Sequence, residues 1–357
     1  LETSNLQTSL LEDLSETSLV QRLKHITLSA VPRWLGPRVA TASRFQHSVA
    51  VGELSFFVSG GSPHDRLLLT AASVLHDAGN GPFPHISDQA MKEKLGFTHE
   101  GALRFAFEYS PAEDLEALRK FDLGLSEVCA VLEGRHALSP LLNGFPDLDN
   151  ADNVHRFIAT VPGGFLGKPS YSPSEVVASM SLDSDAQNIP RSLRERWAAD
   201  FEKVYSYVWN DVPNMVCWTM LGRALRILKN DLPPSFFRLT NREAYEFMKQ
   251  KIPRWADGLS RGKYRIFFDR KFAELRGDAL RLTQPQSLAK VEEELCSEAG
   301  LEDWMLGFTV DQPLLREKPD HWRLYLVLHE DNEIAKAFVN NVLRDSEPFE
   351  KGLSYQP

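Results

Sequence analysis

Cysteine is scarce in this chain and badly placed for pairing. Cys129, Cys217 and Cys296 are the three in 357 residues, and no two share a CxxC spacing. That excludes a disulfide framework and a zinc ribbon, and it fits a reducing compartment. Basic charge is in deficit as well: 40 Lys and Arg stand against 49 Asp and Glu, a net charge of -9. A general nucleic-acid binder carries the opposite balance, so any anion-binding role belongs to a local cleft. Nowhere does an apolar run approach the ~18 residues of a membrane-spanning helix. A GxxxxGK(S/T) loop, a GxGxxG turn and a GxSxG elbow are all missing, which removes the P-loop, dinucleotide-binding and serine-hydrolase readings. There is no internal repeat and no low-complexity tract. The opening LETSNLQTSLLEDLSETS is acidic where a signal peptide is basic, so the cytoplasm is the expected location. Its first residue is Leu, which leaves room for a native start further upstream.

What is present is the mixture of an ordinary globular chain, 43% hydrophobic and 25% charged, long enough for one large domain or two smaller ones. Residues 1–22 are polar and rich in Ser and Thr, and read as a loosely held lead-in with a single helical turn. HSVAVGELSFFVS from His47 is apolar enough for a buried helix. DRLLLTAASVLHD, from Asp65 to Asp77, is a stronger helix, punctuated by Pro63 before it and Gly79 after it. HEGALRFAFEY, PAEDLEALRKF, LSEVCAVLEG and NADNVHRFIATV read as further helices. Residues 161–190 are rich in Gly, Pro and Ser, and read as a loop that covers a cleft or separates two helical halves. Helices resume with RSLRERWAADFEKVYSYVWND, VPNMVCWTMLGRALRILKND and NREAYEFMKQKI. The aromatics of WAADFEKVYSYVW recur at helical spacing and predict a packed core face rather than a base-stacking surface. WRLYLVLHE near the C-terminus is strand-like, and EIAKAFVNNVLRD after it is helical. The expected fold is mostly α, with helices continuing over 161–275 and a small mixed α/β region at 276–357.

Chemistry concentrates at helix ends. His76 and Asp77 close an apolar helix at the turn AGNGPFPH, His47 opens another, and Asp149 opens a third behind PDLD. Burying such groups costs desolvation energy unless they share a cation or a hydrogen-bond network. Two imidazoles and two carboxylates suit Mn, Fe, Co, Ni or Zn better than calcium. Four protein ligands in a larger coordination sphere leave positions open for water and a phosphoryl oxygen. Spacing alone leaves the alternative that each residue is a helix cap or a surface group.

The ordered set RFQHS, VLHDAGNGPFPH, FTHEG and DLDNAD resembles the HD superfamily of metal-dependent phosphohydrolases. Within it, the set is similar to the deoxynucleoside-triphosphate triphosphohydrolase branch. The motifs fall between Leu23 and Phe157, and a weaker similarity extends to Phe272 through YSYVW, LTNREAYEFM and SRGKYR. The resemblance implies an HD-domain helical core over 23–160, with metal ligands at His47, His76, Asp77 and Asp149. It implies a catalytic His85 supported by Asp88, His99 and Glu100, and phosphate contacts at Arg44, Asn80 and Asn150. For Arg44 a structural salt bridge is the alternative. It further implies one divalent transition metal, with Mg at the substrate phosphates as an option, a small phosphorylated substrate of nucleotide type, and a homo-oligomer. Phosphoryl transfer needs neutralisation of the charge on the phosphorus oxygens, a placed nucleophile and help for the leaving oxygen. A histidine such as His85 can give the last.

Departures from that branch bear on substrate. Asn80 stands where its members carry a histidine along the phosphate chain. Asn150, Asn153 and Phe157 stand where they carry Lys, Tyr and Asp. A site without the sugar-binding groups cannot discriminate by them, so a hydrolytic centre is expected without deoxynucleotide specificity. Two other readings remain: an HD-fold di-iron oxygenase, with His85 and His99 as extra ligands, and a catalytically silent nucleotide sensor, which Asn80 and Asn150 suggest. His136 and His155 sit near these motifs in sequence and read as packing or surface residues, and His25, His64, His321 and His329 have no partner pattern.

Overall fold

The computed structural model describes residues 2–183, 188–274, 285–311, 322–329 and 347–348. The chain divides into two compact units, Leu1–Asn210 with Pro234–Ala244, and Asp211–Pro233 with Tyr245–Pro357. The described residues are mostly helical, as expected, and their strands all lie in the second unit.

The first unit runs through α1 (Glu2–Ser15), α2 (Ser18–Arg22), α3 (Arg44–Leu54), α4 (Pro63–Leu75), α5 (Asp88–Leu95) and α6 (Leu103–Glu108). It continues through α7 (Ala112–Arg119), α8 (Leu125–Leu132), α9 (Pro140–Asn143), α10 (Leu148–Thr160), α11 (Pro173–Val177) and α12 (Arg191–Asn210). At its centre is α4, buried without interruption from Leu67 to Leu75. Pro63 occupies the first turn, where its missing N–H is harmless, and Ser62 and Asp65 form a capping box ahead of it. Ser43 and Gln46 cap α3 in the same way. Helices α1, α3 and α8 pack around α4. Gly52 is needed at the crossing, because a Cβ there would lie 2.5 Å from Leu11 Cδ1 and 2.6 Å from Val74 Cγ2.

The lead-in expected at 1–22 is instead the helix α1. Leu10 and Leu14 are fully buried and Leu11 nearly so. Gln7 Nε2 donates to the buried Thr70 Oγ1 of α4 at 3.1 Å. Serines and threonines on the solvent side disguise this apolar stripe in the sequence. The segment 161–183 is held down just as firmly. Tyr171 is 5% exposed, and its hydroxyl donates to Ala151 O of α10 at 2.7 Å. Ser170 donates from its backbone N and its hydroxyl to the buried Asp200 of α12, at 2.6 and 2.9 Å. This stretch is a strap across α10 and α12 rather than a free cover. On α12, Trp197 and Phe201 are buried in the core, the face their spacing predicted.

The second unit contains α13 (Val212–Ile227), most of α14 (Asn241–Lys251), α15 (Pro253–Ser260), β1 (Arg265–Glu274), α16 (Pro285–Ala299), β2 (Leu306–Asp311), β3 (Trp322–Leu328) and the two-residue β4 (Glu347–Pro348). The sheet is antiparallel with order β2-β3-β1-β4, and Leu328 pairs with Arg265 on one side and Leu306 on the other. Strand β3 is the element read from WRLYLVLHE; the helical run expected at EIAKAFVNNVLRD lies outside the described residues. Glu292 of α16 is fully buried and accepts from Arg223 Nη1 at 2.9 Å and Arg226 Nε at 2.8 Å, both on α13. Its other oxygen accepts the Phe308 backbone N–H at 2.8 Å, and Arg226 Nη2 donates to Phe308 O at 3.1 Å.

Candidate metal centre

Three helix ends of the first unit bring the predicted ligands together. His47 sits one turn into α3, His76 is the C-cap of α4 with Asp77 next to it, and Asp149 lies in the first turn of α10. His47 Nε2 is 3.2 Å from His76 Nε2 and 2.9 Å from Asp149 Oδ1, while His76 Nε2 is 3.8 Å from the same oxygen. Asp77 Oδ2 stands 3.5 Å from His76 Nε2 and 3.9 Å from His47 Nε2. His47, His76 and Asp149 each offer a donor atom within 4.8 Å of the other two.

The far side of each imidazole is already engaged. Asp152, one turn beyond Asp149, accepts from His47 Nδ1 at 2.7 Å and is gripped by Arg156 at 2.7 and 2.8 Å. His76 Nδ1 donates to Ser73 O at 2.7 Å. Both histidines therefore turn Nε2 inward, in the arrangement that fixes tautomer and ring direction at metal sites. Asp77 is 3% exposed; its Oδ1 accepts from Arg44 Nη1 at 2.6 Å and from the Asn80 amide. Its Oδ2, facing the two imidazoles, is buried with no hydrogen-bond partner. A buried carboxylate oxygen left bare costs several kcal/mol unless something cationic answers it. The donors present thus fit a divalent ion.

Charge in the cluster reflects the same crowding. Burial opposes charge on His47, but its hydrogen bonds to Asp149 and Asp152 prevail and raise it to about 10. Burial pushes Asp77 up, yet the Arg44 guanidinium and the two imidazoles hold it well below the usual carboxylate range. Asp149 is likewise held down, by His47 and His76 against its burial. Asp147 moves the other way: burial and the neighbouring Asp149 push it well up. It serves as the N-cap of α10, accepting the Asn150 N–H at 2.6 Å.

Beside this cluster stands a second group. Asp88 Oδ2 lies 2.9 Å from His99 Nδ1 and 3.5 Å from His85 Nδ1, and the two rings meet edge-on with centroids 5.3 Å apart. Burial opposes ionisation of Asp88, but both histidines hold it low, and Asp88 in turn raises His99 against its burial. Arg44, 7% exposed, bridges the groups: its Nη2 is 3.2 Å from His85 Nε2. The salt bridge weighed for Arg44 is present, with Asp77 as partner. Glu100 falls in the short turn His99–Gly101, and its side chain lies outside the described part of the structure.

The turn carrying His85 is backbone-strained, with φ of 53° at Phe83 and 66° at His85, values non-glycine residues rarely adopt. Residues absent from the sequence reading hold it in place. The fully buried Asn241 accepts the Phe83 N–H at 2.9 Å and donates to Thr27 Oγ1 at 2.9 Å. Arg22 donates to the carbonyls of Ala78, Asn80 and Leu239; burial and nearby Arg238 lower it to about 10. Asp152, which holds His47, is a third residue absent from that reading. Its clue was its position three after Asp149 and four before Arg156, on one helix face.

The residues expected along the phosphates are committed elsewhere. Asn80 is fully buried against Asp77, and the Asn150 amide donates to both Asp147 oxygens at 3.2 Å. Phe157 belongs to the hydrophobic core. His155 rests against Tyr171 and His136 closes a local turn, so neither joins the cluster.

The family model of the HD domain matches residues 44–154, the span from Arg44 past Asp152. A search of curated proteins gave no match. Among solved structures, the chain is similar to a hypothetical protein from Aquifex aeolicus, with a TM-score of 0.64 and 14% identity over 94% of this chain and 95% of that one. It is also similar to a phosphohydrolase from Bacteroides thetaiotaomicron, with a TM-score of 0.60 and 16% identity over 90% of this chain and 95% of that one. At such identities the likeness is one of fold.

Proposed function

We propose that the protein is a metal-dependent phosphohydrolase that cleaves a phosphate ester or anhydride in a small, nucleotide-like substrate. The observation that carries this is the bare Asp77 Oδ2, buried and turned toward the inward-facing Nε2 atoms of His47 and His76 beside Asp149. A divalent transition metal held by these four residues supplies positive charge for the phosphoryl oxygens and acidity for a bound water. Asp152 and the Ser73 carbonyl keep the two imidazoles aimed. Arg44 keeps one Asp77 oxygen occupied, so that the other stays available.

The neighbouring group suits the leaving side of the reaction. The His85 side chain is 51% exposed and backed at Nδ1 by Asp88. That carboxylate stabilises an imidazolium, whose Nε2–H can pass its proton to the departing oxygen. In the structure that nitrogen faces Arg44 Nη2, so the guanidinium turns from His85 to the phosphate when substrate binds, a role its planar fork fits. His99 holds Asp88 from the other side. Specificity for deoxynucleoside triphosphates is not part of the reading, since Asn80 and Asn150 bond within the chain and Phe157 faces the core. A homo-oligomer and a cytoplasmic location complete the proposal; light scattering on the purified chain tests the first.

A screen of nucleotides and simple phosphate esters with added Mn2+ tests the activity. Wild-type protein should release phosphate, and His85→Ala should cut the rate by ~10²–10⁴-fold while keeping the ion held by His47. Release from none of the substrates would instead favour a silent sensor. Bound iron with oxygen uptake would favour an oxygenase.

A further inference from the structure

Beyond the His47 cluster, three more donor atoms lie close enough to share an ion. His85 Nδ1 and His99 Nδ1 stand 3.5 and 2.9 Å from Asp88 Oδ2, and each of the three residues offers a ligand atom within 4.8 Å of the other two. Donors around a tetrahedral ion with bonds of ~2.0–2.1 Å are ~3.3 Å apart, so the observed separations straddle the required one. Two imidazoles and a carboxylate form the donor set of sites that keep one position open. Asp88 Oδ1 is buried without a hydrogen-bond partner, which leaves a second oxygen for the ion or its water. His85, half-exposed, gives a path from solvent. The frame is stiff: His85 comes from the strained turn, Asp88 is the first residue of α5, and His99 lies in a turn pressed on the HD motif. A Cβ at Gly79 would come within 2.8 Å of His99 O.

We infer that His85, Asp88 and His99 form a second, separately loaded site for a divalent transition metal, and that filling it withdraws the His85 imidazole from proton transfer. The site is not half of a bridged pair. The Arg44 guanidinium stands between the two clusters, 2.6 Å from Asp77 Oδ1 and 3.2 Å from His85 Nε2, and no ligand is common to both. An ion on His85 Nδ1 displaces the proton shared with Asp88 and leaves one on Nε2, facing the N–H donors of Arg44. That conflict breaks the Arg44–His85 contact and makes this the weaker of the two sites. It loads only at higher ion concentration, so the second ion acts as a brake. The brake rests on His85 being the catalytic imidazole; the site itself does not.

Equilibrium dialysis of the untagged full chain against Zn2+, with zinc counted per chain, tests it. Wild type should hold two ions, His47→Ala one, His99→Ala one, and the double variant none. Asp88→Asn, nearly isosteric and a milder threat to folding, should also hold one. With Co2+, the His47→Ala protein should show a visible absorption band that Asp88→Asn removes. Loss of an ion in His99→Ala supports the second site even if His47→Ala loses none, an outcome that sinks the first. Full wild-type stoichiometry in His99→Ala and Asp88→Asn, with unchanged circular dichroism, overturns the second site. Wild-type hydrolysis of a chromogenic phosphate ester should rise and then fall as Zn2+ increases; a rate that only saturates overturns the brake.

Discussion

Two residues would decide how the first cluster meets the ion proposed for it. His47 lies between Asp149 and Asp152, whose hydrogen bonds raise its pKa to about 10. Because that value is raised above the ordinary 6.5, the stabilisation it brings is complete below about 6.5 and is lost as pH rises through about 10. A ligating imidazole must be neutral, so uptake of an ion near neutral pH expels a proton. Affinity should therefore climb about tenfold per pH unit through neutrality and somewhat above it. Calorimetric titrations in buffers of different ionisation enthalpy measure this, and binding heats identical in all buffers would contradict it. Asp152 acts through His47 rather than on the ion. Asp152→Asn should weaken metal affinity by ~10–100-fold, read by competition with a chromophoric chelator. Arg156 then loses its carboxylate partner too, so an unchanged melting temperature alongside weaker binding would separate positioning from folding.

At the level of elements, the turn from Asn80 to His85 depends on α2 and α14, which are remote in sequence. Asn241→Leu strands the buried Phe83 N–H and should cost ~1–3 kcal/mol of stability. Asn241→Asp keeps that acceptor, so it should restore the rate of phosphate release more fully than Leu does. Equal rates in the two variants would remove Asn241 from any role in placing His85. Helix α1 makes a separate claim. If it is part of the core, Leu14→Ala should cost ~2–5 kcal/mol in denaturant unfolding, whereas a loose lead-in would lose almost nothing.

These elements also show what the sequence could and could not reveal. The side chains of the first cluster were legible as a set because residue types and order survive in one dimension: a His-Asp pair at a helix end, a His before it, an Asp after it. Asp152 was not, because its importance depends on which face of α10 meets α3. Asn241 was not, because its partner Phe83 is 158 positions away. Composition misled at α1, where Ser and Thr conceal three leucines, and at the strap, where the Tyr171 hydroxyl bond to Ala151 is invisible in a Gly, Pro and Ser background. Strand β3 was legible from its branched and aromatic residues, although it is buried continuously from Leu324 to Leu328, and the core face of α12 because its spacing reports burial.

For the molecule as a whole, each of the two units carries its own burdens. The first concentrates ionisable groups at the ends of buried helices, as an ion-binding centre requires. The second buries one glutamate against two arginines. Removing one member of such a group leaves the others uncompensated, so Glu292→Gln should destabilise that unit by ~3–5 kcal/mol, seen by calorimetry. A variant that melts like wild type would mean the arginines find other partners.

The same glutamate has a consequence for behaviour in a crowded solution. Among the described strands β2 is the outermost of its sheet, and such a margin is a template on which a neighbouring molecule can lay its own backbone. At Phe308 both outward-facing main-chain groups are already occupied, the N–H by a carboxylate and the carbonyl by a guanidinium, as though two side chains were impersonating an additional strand. The disguise leaves a passing polypeptide nothing to grasp at the middle of that margin, and so guards the protein against growing into fibrils.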